Sequence, residues 1–468
     1  MDIAIIKKMI KNLITEHTNS VSLMNKADKY YRNQTDILYA EKDNKDSKGN
    51  PLRNADNRIP SNFHSLLVDQ KVSYMFTYPP QFDLGTKESN KALEDKLGDG
   101  YAKLCKDLAI AASNFSVGWL HLWQEEGKLQ FALVDSRQIV PIYSESLNKK
   151  LIAVLRVYPQ YDDNGERITV YEYWTDTECY AYSVSDGRDI DEGLLEFNKF
   201  KVINIDTNTQ VETNIYKHNI TCDGVGVVPF IEFYNNSTKT SDLDKIKKLI
   251  DCYDKVYSGF MNDLEDIQEI IFILTNYGGT DLGQFLKELK KYKTISIEDD
   301  GVGNSNTGLQ TLNIDIPVEA RKEMLTTTRK AIFEHGQGVD PDPQRFGDAS
   351  GEALKYLYSL LELKAGLMET EFKLSLGRFV RIICSCYGIP VNKIIQTWTR
   401  NCIKNDAELA GIAKNSVGVI SNATIIKNHP WVESAEEEEK QIEEEQQKLH
   451  EKEDPFYPPL NDGDVVEE

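Results

Sequence analysis

Long hydrophobic runs are absent from this sequence of 468 residues. No stretch of about 18 apolar residues occurs that could span a membrane as a helix. The N-terminal MDIAIIKKMIKN also has neither the apolar block nor the cleavage site of a secretory signal. Apolar residues nevertheless make up 40% of the chain, which is enough for sizeable cores in several packed units. The sequence therefore predicts a folded, soluble protein of the cytoplasm with no membrane partner.

Cysteines are too few and too scattered for a disulfide framework. There are seven, an odd number, and five stand alone in the sequence: Cys105, Cys179, Cys222, Cys252 and Cys402. Cys384 and Cys386 are two apart on a predicted helix, so their side chains point in different directions and chelate a metal poorly. Reduced thiols that fill the core are the favoured interpretation.

Basic residues are also outnumbered, because the formal net charge is −21. Residues 433–468 hold fifteen Asp or Glu against three Lys, so −12 comes from this tail and −9 from the rest. Tight binding of duplex DNA needs Lys and Arg that displace condensed counterions. Any contact with DNA is therefore expected to be loose.

No motif for nucleotide or metal chemistry is present. Gly224-Val-Gly226 and Gly301-Val-Gly303 lack the later glycine and the lysine of a phosphate-binding loop, so both are interpreted as turns. The HExxH motif and the paired CxxC motifs of zinc sites are missing, and the seven histidines have no metal-ligand spacing. The sequence thus predicts neither a cofactor nor a metal, and no enzyme.

Two prolines interrupt the segment VDPDPQRFGDA, residues 339–349. Pro341 and Pro343 lack an amide donor, so this segment is predicted to be a stiff loop between two helices. Asp340 and Asp342 also fit the paired carboxylates of a metal-dependent nuclease. Because Asp-Pro-Asp-Pro suits a loop bend equally well, the nuclease is the weaker interpretation.

Hydrophobic spacing predicts a change from helix to strand and back to helix along the chain. Helices are predicted over 1–40, from Pro60 towards Pro79, and over 89–113. Strands are predicted from Val117 to about Phe233, with hairpins at Glu126-Gly127 and Asn164-Gly165.

The second half of the sequence predicts long helices around a small insertion. The first helix runs from Ser241 to Leu274 and starts with a capping box at Asp244, and an αβ knob follows at 278–316. The next helix runs from Pro317 to His335, with Gly336 and Gly338 as left-handed caps. A helix from Ser350 to Tyr387, a strand IIQTWT, and short helices at 407–414 and 423–427 complete the prediction. The helix to Tyr387 is apolar nearly all round in its second half, so we expect neighbouring protein to cover it.

Five stretches of the chain have the sequence and the order of segments in a known family. They are NRIPSNFHSLLVDQKVSYMFTYPP (57–80), VDSRQIVPIYS (134–144), SDLDKIKKLIDCYDKVYS (241–258), AIFEHGQGVDPDPQRFGDASGEALKYLYSLLELKA (331–365) and ISNATIIKNHPWVESAEEE (420–438). In these stretches the chain resembles the portal proteins of tailed phages, particularly of long-tailed phages of Gram-positive hosts. The block at 331–365 is the most specific.

The resemblance implies an α+β, portal-type fold: an α/β wing, a two-helix stem, a small αβ clip, a long wing helix and a helical crown. By position these are the wing at 1–240, stem helices at 241–270 and 317–337, the clip at 271–316, a tunnel loop at 338–349, the long wing helix and a strand at 350–402, the crown at 403–450, and a disordered acidic tail at 451–468. The tunnel-loop site residues are Val339, Asp340, Pro341, Asp342, Pro343, Gln344, Arg345, Phe346, Gly347 and Asp348.

The resemblance also implies a function and a set of partners. Twelve subunits usually close into a ring at one capsid vertex of the virion, after assembly in the host cytoplasm. The ring passes double-stranded DNA without sequence specificity during packaging and ejection. Its implied protein partners are the terminase large subunit, the head-completion or adaptor protein, and the scaffolding and major capsid proteins.

Rival interpretations remain for the whole chain and for two of its segments. The chain could be an enzyme of the packaging machinery, either nuclease or ATPase, or a neck adaptor or tail protein. Residues 339–349 could be a mere helix connector rather than a loop whose Arg345 and Phe346 face DNA. The acidic tail could repel packaged DNA or simply aid solubility.

Overall fold

The computed structural model describes residues 3–40, 55–125, 127–204, 209–266, 271–275, 308–312, 317–341, 351–391, 393–400, 406–427, 432 and 438–445. The chain forms two compact units. One joins Met1–Asp340 to Ser359–Asn401, and the other joins Pro341–Tyr358 to Cys402–Glu468. Helices and antiparallel strands both contribute, which confirms the mixed helix-and-sheet class predicted from the sequence.

The helices flank a central β-rich region. In chain order they are α1 (Ile3–Tyr31), α2 (Phe63–Phe76), α3 (Lys87–Leu97), α4 (Tyr101–Phe115), α5 (Ile190–Gly193), α6 (Lys247–Asp266), α7 (Val318–Gly336), α8 (Gly351–Tyr387), α9 (Asp406–Asn415) and α10 (Asn422–Lys427), with a 3-10 turn at Asp36–Tyr39. The single helix predicted over 89–113 is wrong, because α3 ends at Leu97 and Gly98 has a φ of +66° before α4 begins. Glycine adopts this left-handed conformation without a steric penalty.

The strands lie mainly between α4 and α6. They are β1 (Gln81–Asp83), β2 (Val117–Glu125), β3 (Lys128–Val134), β4 (Ile139–Tyr143), β5 (Leu151–Tyr161), β6 (Arg167–Trp174), β7 (Glu178–Ser185), β8 (Leu195–Glu196), β9 (Phe200–Asn204), β10 (Thr209–Thr213), β11 (Ile215–Lys217), β12 (Thr221–Cys222), β13 (Val225–Gly226), β14 (Phe230–Tyr234), β15 (Ile271–Thr275), β16 (Gly308–Leu312) and β17 (Ile395–Thr397).

Two larger antiparallel sheets carry the β-rich region. One has the strand order β11-β7-β6-β5-β4 with β8 beside β7, and the other has the order β14-β2-β3. The β2–β3 and β5–β6 pairs confirm both predicted hairpins. β1 pairs with β17, so the predicted strand in IIQTWT is also confirmed.

Apolar side chains from both sheets form a common core. Trp119 and Phe230 come from the three-stranded sheet, and Val154 and Trp174 come from the six-stranded one. On the opposite face of the six-stranded sheet, neighbouring positions such as Leu155 pack against Ile6 and Ile10 of α1, among others. The alternation of side chains along β5 therefore supplies two cores.

Helices α6 and α7 pack as an antiparallel pair. Arg321 near the start of α7 bonds to Asp263 near the end of α6, while Phe333 near the end of α7 shares a core with Ile250 near the start of α6. Beyond these ends, β15 and β16 pair antiparallel from Ile271↔Leu312 to Thr275↔Gly308.

The predicted helix from Ser241 to Leu274 is therefore too long at both ends. At its start, Ser241 and Asp244 do bond as a capping box would, because the Ser241 N–H donates to the Asp244 carboxylate at 3.0 Å. This bond closes a turn, and the regular helix begins only at Lys247. At its end, the run IFILT satisfies helical spacing but is rich in β-branched residues, and it forms β15 instead.

The long helix α8 confirms the prediction to within one residue. Its second half is indeed buried on several sides, but the cover comes from the same unit: Phe379, for example, meets the Phe131 ring at 4.9 Å. The expectation that neighbouring protein must cover all of this half is therefore wrong, although Leu374 within it is 71% exposed. The other exposed leucines, Leu360, Leu363 and Leu367, lie in the first half.

The second unit contains α9 and α10, which confirm the two short helices predicted there, and a helical segment at 438–445. Most of the predicted αβ knob, at 278–307 and 313–316, and the acidic tail at 451–468 lie outside the described residues. The cysteines Cys105, Cys179, Cys222, Cys252, Cys384 and Cys386 are free thiols. None of the described helices has the length and apolar character needed to cross a membrane.

Candidate functional site

The structure describes only the first residues of the predicted tunnel loop, 338–341. Val339 and Asp340 are buried and Pro341 is exposed. The other predicted site residues, Asp342, Pro343, Gln344, Arg345, Phe346, Gly347 and Asp348, lie outside the described residues. The contacts of Gly336 to Asp340 therefore define the candidate site, which we call the loop base.

Helix α7 ends in a tight left-handed turn at the loop base. Gln337 has a φ of +55°, its N–H donates to the Glu334 carbonyl at 3.2 Å, and the Gly338 N–H donates to the Phe333 carbonyl at 3.0 Å. These two bonds satisfy carbonyls that the helix end leaves unpaired. The prediction that Gly336 and Gly338 are the left-handed residues is wrong, because Gln337 takes that role.

Close packing against α2 explains the two glycines instead. A Cβ on Gly336 would lie 2.6 Å from Leu67 Cδ1, and a Cβ on Gly338 would lie 2.1 Å from Leu67 Cδ2. Leu67 is itself buried among Ala27, Phe63 and Ile246, so it has little room to move aside.

Two polar clamps hold the next residues of the loop base. The side-chain amide of Gln70 on α2 bonds both backbone groups of Val339, accepting from its N–H at 3.1 Å and donating to its carbonyl at 2.7 Å. Arg329 on α7 donates to the Asp340 carboxylate, with Nη2 at 2.7 Å from Oδ1. Asp340 is therefore part of an ion pair, which does not require a partner carboxylate at Asp342.

A buried ionic triad lies behind the loop base. Asp242, just before α6, accepts from Lys71 Nζ on α2 at 2.6 Å and is 3.1 Å from Lys364 Nζ on α8. Lys364 also donates to the Gly336 carbonyl at 2.9 Å, and Asn235 donates to Asp242 at 2.9 Å. The triad thus links α2, α6 and α8 to the end of α7.

Burial and neighbouring charges shift the pKa values of Asp242 and Lys71. Burial alone would raise the pKa of Asp242, but the ammonium groups of Lys364 and Lys71 hold it well below its usual range. Burial lowers the pKa of Lys71 to about 8, against the attraction of Asp242. The site therefore stabilises the carboxylate and penalises the Lys71 ammonium.

Sequence reasoning missed the triad, although one signal was present. Lys71 follows Leu67 by one helical turn, so the spacing places a lysine on the apolar face of α2. Lys364 likewise lies between buried Leu361 and Ala365 on α8. A lysine at a core position indicates a buried carboxylate partner, but the pattern does not show that Asp242 is that partner.

The triad has no feature of a catalytic centre. Its three charged groups bond to each other, to an amide and to a backbone carbonyl, which is a structural arrangement. Among the residues that the structure describes, no cluster of three or more His, Cys, Asp or Glu could hold a metal ion. The arrangement holds residues 336–340 at the end of α7 against α2 and α8.

A model of the phage portal protein family, SPP1 Gp6-like, matches residues 10–452 of the sequence. The chain belongs to this portal family. Two portal proteins are similar to it: that of Clostridium phage phiCD119 is 44% identical over 88% of this chain and 90% of its own length, and that of Bacillus phage SPP1 is 28% identical over 93% and 85%. The portal function expected from the sequence is thereby confirmed.

Solved structures of gene transfer agent particles are also similar, at low identity. The neck of an empty particle, computed with C6 symmetry, has a TM-score of 0.44 and 12% identity, covering 78% of this chain and 88% of that chain. The neck of a native particle, computed with C12 symmetry, has a TM-score of 0.38 and 13% identity over 78% and 88%.

Proposed function

We propose that this portal protein forms a closed ring of twelve subunits at one capsid vertex of a tailed phage. The ring is the channel through which DNA enters the capsid and later leaves it. A rotationally closed ring gives each subunit the same two lateral interfaces. The full-length match to portal proteins carries this proposal.

The antiparallel α6–α7 pair supports the assignment of a stem. Two helices that run alongside each other and meet the β15–β16 pair at one end make a rigid stalk with a tip. We assign the stem to 241–270 and 317–337, and the clip to 271–316. The clip is the surface for the terminase large subunit during packaging and for the head-completion or adaptor protein afterwards.

The other regions follow in the same order along the chain. We assign the wing to 1–240 together with the long helix and strand at 350–402, the crown to 403–450 and an acidic tail to 451–468. Scaffolding and major capsid proteins are the proposed partners of the assembled ring in the host cytoplasm. The net charge of −21 supports a channel that does not hold DNA tightly.

We assign the tunnel loop to 338–349, on a base fixed by Gln70, Arg329 and the ionic triad. Loops that a rigid frame positions are frequently functional. Arg345 and Phe346 are the proposed DNA-facing residues. Rings with Arg345→Glu that package and retain DNA normally would contradict this role and leave a plain helix connector.

Native mass spectrometry and negative-stain microscopy of the purified chain test the ring directly. Closed rings of twelve with a central hole are the expected result. A stable monomer or dimer across salt and protein concentrations would contradict self-assembly of this portal protein into a ring of twelve. We expect the same sample to show neither ATP hydrolysis nor DNA cleavage.

A further inference from the structure

A cleft of about 450 Å³ opens at one end of the core between the two larger sheets. Its walls come from strands β2, β3, β5 and β6 and from Lys199, Phe200 and Tyr216. This volume lies in the range of pockets for small organic ligands, and side chains on strands hold their positions well. Nothing in the portal function uses this cleft.

Aromatic rings line the cleft. His121 stacks on Trp123, with centroids 5.7 Å apart and planes at 23°, and Phe200 stacks on Tyr216 at 5.4 Å and 30°. Trp174 meets His121 edge-on at 4.8 Å. A surface of this kind favours a flat aromatic group, because such groups gain from offset stacking and edge contacts.

A buried carboxylate organises two cations beside these rings. Glu172 is only 1% exposed, accepts from Tyr158 Oη at 2.7 Å and from Trp174 Nε1 at 3.2 Å, and pairs with both Lys199 and Arg156. These three groups carry a net charge of +1, and Glu125, which also lines the cleft, brings the sum to zero. Both cations are partly exposed on the cleft wall, where they can meet an anionic group.

His121 adds a hydrogen-bond acceptor to the floor of the cleft. Its Nδ1 lies 3.0 Å from the Pro229 carbonyl, so Nδ1 carries the proton and Nε2 keeps a lone pair. Burial lowers the pKa of His121 to about 4, which keeps the ring neutral at neutral pH. The cleft therefore combines aromatic rings, an acceptor and two partly exposed cations at Lys199 and Arg156.

We propose that this cleft binds a planar aromatic group that carries an anion, with the ring against Trp123 and Phe200 and the anion at Lys199 and Arg156. A phosphate on a nucleoside and a carboxylate on an aromatic amino acid both satisfy this chemistry. The proposal does not depend on ring assembly or on the tunnel loop.

Isothermal titration calorimetry of the full chain with paired probes tests the proposal. Adenosine 5′-monophosphate is compared with adenosine, and N-acetyltryptophan is compared with its neutral amide. At least one anionic probe should bind once per chain and at least tenfold more tightly than its neutral partner. Which of the two does so identifies the anion as phosphate or carboxylate. If neither anionic probe binds more tightly than its neutral partner, the proposal is wrong.

Two variants locate the binding. Lys199→Met should abolish the tenfold preference for the anionic probe, whereas the control Lys217→Met, on a lysine that is 81% exposed outside the cleft, should keep it. Equal behaviour of the two variants would show that the anion binds elsewhere. If Lys199→Met does not fold, Arg156→Met supplies the same test, because it removes the other cation of the cleft.

Discussion

The substitution Asp242→Asn should destabilise the first unit more than any surface charge change. It leaves the ammonium groups of Lys71 and Lys364, which lie 2.6 and 3.1 Å from the carboxylate, without a counter-charge in a buried site. Removing one partner of a buried ion pair costs about 3–5 kcal/mol. We expect a loss of this size in the free energy of unfolding at pH 7.

Urea unfolding followed by tryptophan fluorescence measures this loss, because Trp119 and Trp174 are buried in the core between the sheets. Coincident far-UV circular dichroism would justify a two-state analysis of the transition. Asp107→Asn is the matched control, since Asp107 pairs along α4 with Lys103, which is 80% exposed. Its cost should stay below about 1 kcal/mol.

The double variant Asp242→Asn/Lys71→Met separates the charge effect from a loss of packing. It removes one of the two stranded ammonium groups, so it should be more stable than Asp242→Asn alone. Equal losses for Asp242→Asn and Asp107→Asn, or strictly additive losses in the double variant, would refute the argument from buried charge.

Three further perturbations test other parts of the site. Between pH 8 and about 10.5 the unfolded chain keeps a proton on Lys71 that the folded chain has lost. As pH rises through this range, the free energy of unfolding of the natural chain in urea should therefore increase by roughly 3 kcal/mol relative to that of Lys71→Met. A constant difference between the two chains would contradict the lowered pKa of Lys71. Gly338→Ala should lower the free energy of unfolding by about 1–3 kcal/mol, because the added methyl group overlaps Leu67. The control Gly366→Ala, in open space on α8, should raise it by up to about 1 kcal/mol. Similar effects at both glycines would contradict the packing argument. Burial lowers the pKa of His64 to about 4, so its contribution to stability is present above pH 6.5 and is lost as pH falls towards 4; a pH titration of unfolding should show a smaller loss in His64→Gln.

Sequence periodicity predicted the elements whose signals are local. Both hairpins were predicted because their turns and alternating flanks occur within a short stretch of chain, and α8 because its spacing continues without a break over 37 residues. The wrong prediction of a helix at Ile271–Thr275 arose because the signal for this strand is not local. Its spacing fits a helix and a strand equally, and pairing with the distant Gly308–Leu312 decides the outcome.

The loop base was predicted only in outline. Pro341 and Pro343 marked the end of the helix, but part of the geometry that fixes that end comes from Leu67 and Gln70, side chains more than 200 residues away. Spacing along one segment carries no information about such partners. The assignment of residues 342–348 as a DNA-facing loop still rests on resemblance to the portal family.

The pairing of β1 with β17 has a consequence for synthesis of the chain on the ribosome. Phe82 pairs with Gln396, so β1 leaves the ribosome long before its partner exists. At about 5–20 residues per second, the delay is roughly 15–60 s. During this time β1 has an unpaired edge, and the strands that α8 later covers are exposed. The first unit therefore completes its fold only after residue 397 has left the ribosome, and truncation before residue 398 should leave a nascent-like state that is prone to aggregate.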